Sequence, residues 1–465
     1  MESGSGGMML KSLTVHGLRG FSKPETIRFA LPNGSPGGGL TVILGPNNGG
    51  KTTIIEALSL FSDVGNPIPE AYRNSEAGFK VSTYLVTHDD KQYSFETRGT
   101  STTATPSERI KMTAIPARRR FAPQFNNTTT DRERYASAST RIIGRNPTIE
   151  HFSYRLNQIQ ENIRNKRAFD SLLARVITPV PDWYIEHKGG GSYYMKLGFG
   201  NSYHDSEGLG EGLISLLFLI DALYDSEAKD VILIDEPELS LHPALQGRVF
   251  GLFKEFSAQR QIIYATHSPF FVDWDSIEYG GRLLRVYKDA VESRSRIAEI
   301  KTETWTRMQG LTKNINNPHI LGLDARNALF LDDRVILVEG QEDVVCYKRI
   351  CKTLNIKIQG DFFGWGVGGA DNVPIIARML TDLGYQHIAV ILDNNKASLK
   401  EQLEQEFPRM KVYVIPTENV RDRKEKTSKA AEGITDERGD LKGIHKEAVK
   451  SMLLAINDKL NPKAV

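Results

Sequence analysis

Apolar and polar positions along the 465-residue chain change period several times, and each change marks an element. Leu10, Leu13, Val15 and Leu18, then Ile27 and Phe29, space like two strands ahead of a Pro/Gly-rich loop at 32–39. The unbroken apolar run Leu40-Thr41-Val42-Ile43-Leu44, a glycine-rich turn, and Thr53-Ile54-Ile55-Glu56-Ala57-Leu58 read as strand, loop and helix. Residues 79–97 alternate as a strand does, and the Ser/Thr-rich run 100–107 is a surface loop. From 108 to 166 the chain turns polar and basic. There Leu156, Ile159 and Ile163 fall at helical spacing within Leu156 to Arg175, which predicts an exposed arm or helical hairpin inserted at about 108–175. An apolar helix from Leu213 to Tyr224, a strand from Val231, a helix at about 245–259 and a strand Gln261 to Thr266 continue an α/β alternation that closes near residue 288.

After a charged stretch without clear period at 289–330, the pattern restarts. Arg334 to Gly340 is a strand ending in a carboxylate at a glycine turn, and a helix runs from Glu342-Asp343 to about Leu354. Phe362 to Gly369 is a strand and glycine loop, Asn372 to Leu383 a helix, and His387 to Asn395 a strand ending in an acid. A helix at 397–406 and the strand Lys411-Val412-Tyr413-Val414-Ile415 follow, so βαβα alternation predicts a small doubly wound parallel sheet with acids gathered at strand C-terminal ends. Beyond Glu418, the residues to the C-terminus read as mostly Lys/Arg/Glu helix, including Arg421, Arg423, Lys424, Lys426 and Lys429. That strip suits either a DNA backbone or a solvated face. The same two readings apply to Arg118-Arg119-Arg120.

The turn after the first apolar strand carries the clearest chemistry. In Gly45-Pro46-Asn47-Asn48-Gly49-Gly50-Lys51-Thr52 the glycines let backbone N–H groups close on phosphates, and the following helix N-terminus adds partial positive charge. Lys51 reaches β- and γ-phosphates, Thr52 supplies a hydroxyl to Mg²⁺, and Thr53 completes the ATP-binding set. Later, Val231-Ile232-Leu233-Ile234-Asp235-Glu236-Pro237-Glu238 is an apolar strand ending in carboxylates, suited to support Mg²⁺ (Asp235) and polarise an attacking water (Glu236).

Composition narrows the partners. Hydrophobic residues at 40% and charged residues at 25% describe a globular chain, and a formal charge of +2 leaves any nucleic-acid contact to local patches. Cys346 and Cys351 cannot form a disulfide framework and read as buried helix residues in a reducing compartment. No apolar run approaches the ~20 residues needed to span a bilayer, and Met1 to Gly7 lacks signal-peptide character, so a cytoplasmic protein with a flexible extension at 1–8 is expected.

The opening strand, the Gly20-Phe21 turn, the next strand and the phosphate loop together resemble the SMC/RecF-like branch of the ABC ATPases. That resemblance implies further parts. Ser206, Gly208, Gly210 and Gly212 stand at the signature position that contacts ATP held by another subunit, Ser240-Leu241-His242-Pro243 is the D-loop, and His267 of Thr266-His267-Ser268-Pro269 is the γ-phosphate switch. It also implies a homodimer or higher even oligomer, because the signature acts in trans. An ATPase head followed by Val338-Glu339-Gly340-Gln341-Glu342-Asp343 and Gly368-Gly369-Ala370-Asp371-Asn372 resembles the overcoming-lysogenization-defect (OLD) family of ATPase–TOPRIM nucleases.

The expected class is therefore α/β: an ABC-type P-loop ATPase head with a helical insertion at 9–288, a connector at 289–330 and a TOPRIM-like domain at 331–465. The OLD resemblance implies divalent-metal catalysis by Mg²⁺, or Mn²⁺ at the TOPRIM site, with Glu339, Asp343 (or Glu342), Asp393, Asn395 and Glu418 as ligands. Glu236, His267, Glu339 and Asp393 are its catalytic residues, DNA its substrate and anti-phage defence its setting, beside a partner from the genomic neighbourhood. Asn395 stands where that family has Asp; its carbonyl oxygen can coordinate but brings no charge. Two rival readings follow: an ATPase sensor or scaffold whose weakened TOPRIM holds an effector, and a RecF-like repair ATPase.

Overall fold

A computed structural model describes residues 8–62, 68–97, 106–117, 125–126, 152–188, 192–199, 202–205, 210–313, 317–330, 333–423 and 430–461. The chain divides into two compact units, Met1–Ile297 and Ala298–Val465.

The first unit is built on a six-stranded sheet with strands in the order Ser295–Glu299, Arg282–Lys288, Leu40–Leu44, Gln261–Ala265, Val231–Asp235 and Thr113–Ile115. The pairings from Arg282–Lys288 through Thr113–Ile115 are all parallel. Parallel strands covered on both faces read as continuous apolar runs, and Leu40–Leu44, Val231–Asp235 and Gln261–Ala265 are buried at every position. A four-stranded antiparallel sheet, ordered Glu25–Arg28, Leu10–His16, Ser82–Thr87, Gln92–Glu96, supplies the second layer. The helix Lys51–Ser59 joins both: Ile54, Ile55, Ala57 and Leu58 share one core with Leu13, Val15, Leu85, Phe95, Leu233 and Ile263.

Four details add to or depart from expectation. Thr113–Ile115, in the stretch read as insertion, is an edge strand of the central sheet, too short to show a period of its own. Of the two readings for this stretch, exposed arm or helical hairpin, the structure shows two consecutive helices, Phe152–Glu161 and Ile163–Ala174, broken at Asn162, whose side chain caps the second by accepting from the Arg164 and Asn165 amides. The break leaves Ile163 65% exposed, whereas Leu156, Ile159, Phe169 and Leu173 are buried. The pair is not an exposed arm, because Phe152 stacks on Phe218 at 3.8 Å and Arg155 pairs with Asp225 at 2.5 Å. Finally, 79–97 is a hairpin rather than one strand, and the 289–330 stretch holds the strand Ser295–Glu299 and the helix Thr302–Thr312.

The second unit carries a four-stranded parallel sheet in the order Asp361–Phe362, Arg334–Leu337, His387–Leu392, Lys411–Val414. Helices Gln341–Thr353, Val373–Asp382 and Leu399–Glu406 alternate with the strands. The C-terminal segment is a correction. Arg421 ends a strand, Asn419–Arg421, paired with Gly433–Thr435, and Lys424, Lys426 and Lys429 lie outside the described residues. The helix Lys446–Leu460 is a core element: Val449, Leu453, Ile456 and Leu460 form a buried stripe on Val420, Ile434 and Ile336. Full burial of each such side chain contributes about 1.5–3 kcal/mol, which outweighs the polar composition of its other face. Among the described residues no helix is long and apolar enough to cross a membrane.

Candidate active sites

The strand–loop–helix at Leu40–Ser59 shapes a cavity of about 580 Å³, lined by Asn47, Asn48, Gly50, Lys51, Thr52 and Thr53 together with Arg19, Glu236 and His267. The loop's tight path explains its glycines. A Cβ on Gly45 would stand 1.9 Å from the Val286 carbonyl oxygen, and Gly45 and Gly50 have φ of +138° and +118°. Lys51 Nζ donates to the Gly45 and Pro46 carbonyls at 2.8 and 3.0 Å. Burial pushes this ammonium down to about 8, against the pull of Glu236, Asp235 and Glu238. A buried cation beside a glycine-rich loop at a helix N-terminus fits a polyphosphate.

Asp235 ends its strand buried, and Glu236 follows in a left-handed conformation at φ +48°, its amide donating to the Ala265 carbonyl. That conformation costs about 1 kcal/mol or more for a residue with a Cβ. It turns the carboxylate into the cavity, 4.0 Å from His267 Nε2. Burial, and then Lys51, lower the His267 pKa below its ordinary value against the pull of Glu236, which favours the neutral ring.

Three residues went unassigned in the sequence. Glu238 accepts from Thr266 Oγ1 at 2.8 Å and from the His267 amide at 2.5 Å, tying the acidic loop to the histidine loop. Arg19 enters the cavity with φ +47°, held by Glu56 at 2.9 Å and by the Tyr72 ring at 4.3 Å. Glu56, on the phosphate-loop helix, is raised to about 7 by burial. The acids of the Asp-Glu-Pro-Glu run and the Arg beside Gly20 were visible; their partners lie 29 and 37 residues away and were not.

Of the signature residues, Ser206 and Gly208 lie outside the described residues. Gly210 caps the helix Glu211–Tyr224. Gly212 allows close approach to the D-loop: a Cβ there would be 2.5 Å from the Ser240 carbonyl oxygen, and Ser240 Oγ meets Glu211 Oε2 at 3.2 Å.

In the second unit, Glu339 and Asp393 follow adjacent parallel strands, and Glu339 Oε1 accepts the Asp393 amide at 3.1 Å. Asp343 accepts the Gly340 amide at 2.7 Å. Burial, reinforced by Asp343 and Glu339, pushes Asp393 up to about 8; burial raises Glu339 and lifts Asp343 to about 6. A buried Asp343 beside half-buried Glu339 and Asp393, with Asp393 raised by both neighbours, is an excess of negative charge that fits a divalent cation. Among the described residues, no three His, Cys, Asp or Glu side chains converge closely enough to form a finished cage. Glu342 is engaged elsewhere, by Arg421 and by Arg423 at 2.9 Å. Asn395 and Glu418 are exposed.

The parallel sheet, phosphate loop and trailing acids define a P-loop ATPase unit, joined in one chain to a smaller parallel sheet bearing acids at its strand ends. Residues 40–273 match the family described as "AAA domain, putative AbiEii toxin, Type IV TA system", and the chain belongs to that family. Residues 330–394 match the "Overcoming lysogenization defect protein-like, TOPRIM domain". The chain is 28% identical over 184 residues to an OLD nuclease of Thermus scotoductus, covering 38% of this chain and 33% of the relative. It is 25% identical over 258 residues to the endonuclease GajA of Bacillus cereus, covering 54% and 39%. The match thus spans about a third of the length of these relatives. A solved Smc head domain from Pyrococcus furiosus, bound to the C-terminal domain of ScpA, aligns with 66% of this chain and all of its own at 13% identity. The TM-score of that alignment is 0.43.

Proposed function

We propose that the chain is an ATP-hydrolysing switch coupled to a metal-dependent nuclease that cleaves DNA. The carrying observation is the pairing, in one chain, of a phosphate-loop cavity lined by Lys51, Glu236 and His267 with the carboxylates Glu339, Asp343 and Asp393 at strand ends of a TOPRIM-type sheet. In the first site Lys51 and the loop amides bind the polyphosphate, and Thr52 and Asp235 would hold Mg²⁺. Glu236 accepts the proton of an attacking water, oriented by neutral His267. The signature glycines support assembly of two heads around two ATP molecules. In the second site Glu339, Asp343 and Asp393 would hold the ions. Divalent ions there supply a water of lowered pKa and neutralise the leaving oxygen. Arg421 and Arg423 lie at hand for phosphate. The OLD-type pairing makes defence against phage the fitting setting.

Plasmid nicking with Mg²⁺ or Mn²⁺ tests this. Glu339→Ala should reduce cleavage at least ~100-fold while ATP hydrolysis is retained. Absence of cleavage by the pure protein under every metal, with toxicity only beside a neighbouring gene product, would favour the scaffold reading.

A further inference from the structure

Among the described residues, Trp365 is the most exposed tryptophan, at 41% of the residue's surface; Trp305 is half-buried, and Trp183 and Trp274 are buried. Its neighbours in the loop, Phe363 and Val367, are 1% and 0% exposed, so the chain is anchored on both sides while the indole faces out. Two left-handed glycines, Gly364 and Gly366 at φ +48° and +85°, make that path. The loop sits on the turn after Glu339. A Cβ on Gly366 would be 2.7 Å from Gly340 Cα, and the Gly369 amide donates to the Glu339 carbonyl at 2.8 Å.

The ring is also held in place. Its Nε1 donates to Asp324 Oδ2 at 2.7 Å, and its carbonyl oxygen accepts from His319 Nδ1 at 2.9 Å. The indole N–H is therefore satisfied without a further partner. The Lys348 ammonium stands 5.5 Å from the ring centroid. Lys348 is on the helix Gln341–Thr353 that begins at the acid cluster, and Val345, one turn earlier, is 50% exposed. A tethered, partly exposed indole with a cation over the ring, one glycine turn from carboxylates suited to a cation, matches how proteins take an unpaired base and its phosphate.

We propose that Trp365 is a stacking platform for an unpaired nucleobase of DNA next to the phosphodiester at Glu339 and Asp393, with Lys348 meeting the adjoining phosphate. This rests on the nuclease reading of the second unit. The platform takes unstacked strand rather than duplex interior, because a paired base has no free face.

The test uses the full chain without divalent metal and a fluorescein-labelled single-stranded oligo-dT. Trp365→Phe keeps a stacking ring and should bind within about twofold of the parent, whereas Trp365→Ala should bind roughly 5- to 100-fold more weakly. The emission difference between parent and Trp365→Phe isolates this one tryptophan, and saturating oligo-dT should quench it. Bound oligonucleotide with that emission unchanged, or unaltered affinity in Trp365→Ala, overturns the platform alone. A Trp365→Ala change in oligomer mass with DNA affinity intact also overturns it, marking the ring as a protein contact. Should Trp365→Ala fail to fold, the quenching result decides. If the parent binds no single- or double-stranded DNA, the nuclease reading falls as well.

Discussion

The two sites use one device, acids at the C-terminal ends of parallel strands, with opposite charge balance. In the ATPase unit Asp235, Glu236 and Glu238 surround a buried lysine, and Glu238 is further tied by hydroxyl and amide donors. In the TOPRIM-type unit Arg421 and Arg423 pair with Glu342, and burial together with Asp343 and Glu339 raises Asp393 despite the opposing charge of Arg423. The first site brings its own cation and suits an anion. The second lacks one at its centre and suits a metal. The same strand-end topology therefore does not dictate the ligand; the placement of a few basic side chains does.

The comparison breaks most sharply at the central charges. Lys51→Ala should lower ATP hydrolysis about 100-fold or more, read by phosphate release; near-normal turnover would remove Lys51 from the site. Glu236→Gln should lose hydrolysis by about 100-fold yet still bind ATP, and the trapped nucleotide should stabilise a head dimer in light scattering. Hydrolysis at the native rate would refute the assignment.

Smaller effects sharpen it. Glu238→Ala leaves the Thr266 hydroxyl and His267 amide without their acceptor. It should cost about 1–3 kcal/mol in denaturant unfolding and depress turnover by loosening His267. Glu238→Gln, which keeps one acceptor oxygen, should recover part of both.

The smallest effect is a pH slope. Glu56 is raised from 4.5 to about 7 by burial, so the native state binds its proton more tightly than the unfolded chain does. Its favourable contribution is full below about pH 4.5 and is lost as the pH rises through about 7. Glu56→Gln, uncharged throughout, should flatten the fall in Tm between about pH 5 and pH 8 by a few degrees. An unchanged slope would show that Arg19 compensates the carboxylate fully.

Much of this was legible in one dimension because the physics is local. Leu40–Thr53 carries strand, turn and helix signals within fourteen consecutive positions, and the cavity forms around that segment. The acids Asp235, Glu339 and Asp393 each announce themselves at the end of an apolar run. Elements with weak local signal were misread. Thr113–Ile115 belongs to the central sheet only through its pairing with Ile232–Ile234, and Lys446–Leu460, within a segment that suits either a DNA backbone or a solvated face, is a core helix through its four-residue stripe.

By itself the sequence determined the strand-end acids, the phosphate loop and the α/β alternation of both units, since each depends on neighbours along the chain. Only the tertiary structure decided which acids serve as tethers. Glu238 and Glu342 read from sequence like the acids beside them, yet one holds the His267 loop and the other holds two arginines. Their partners lie 29, 79 and 81 residues away. A carboxylate's role depends on what burial and folding bring to it, and that is set in three dimensions.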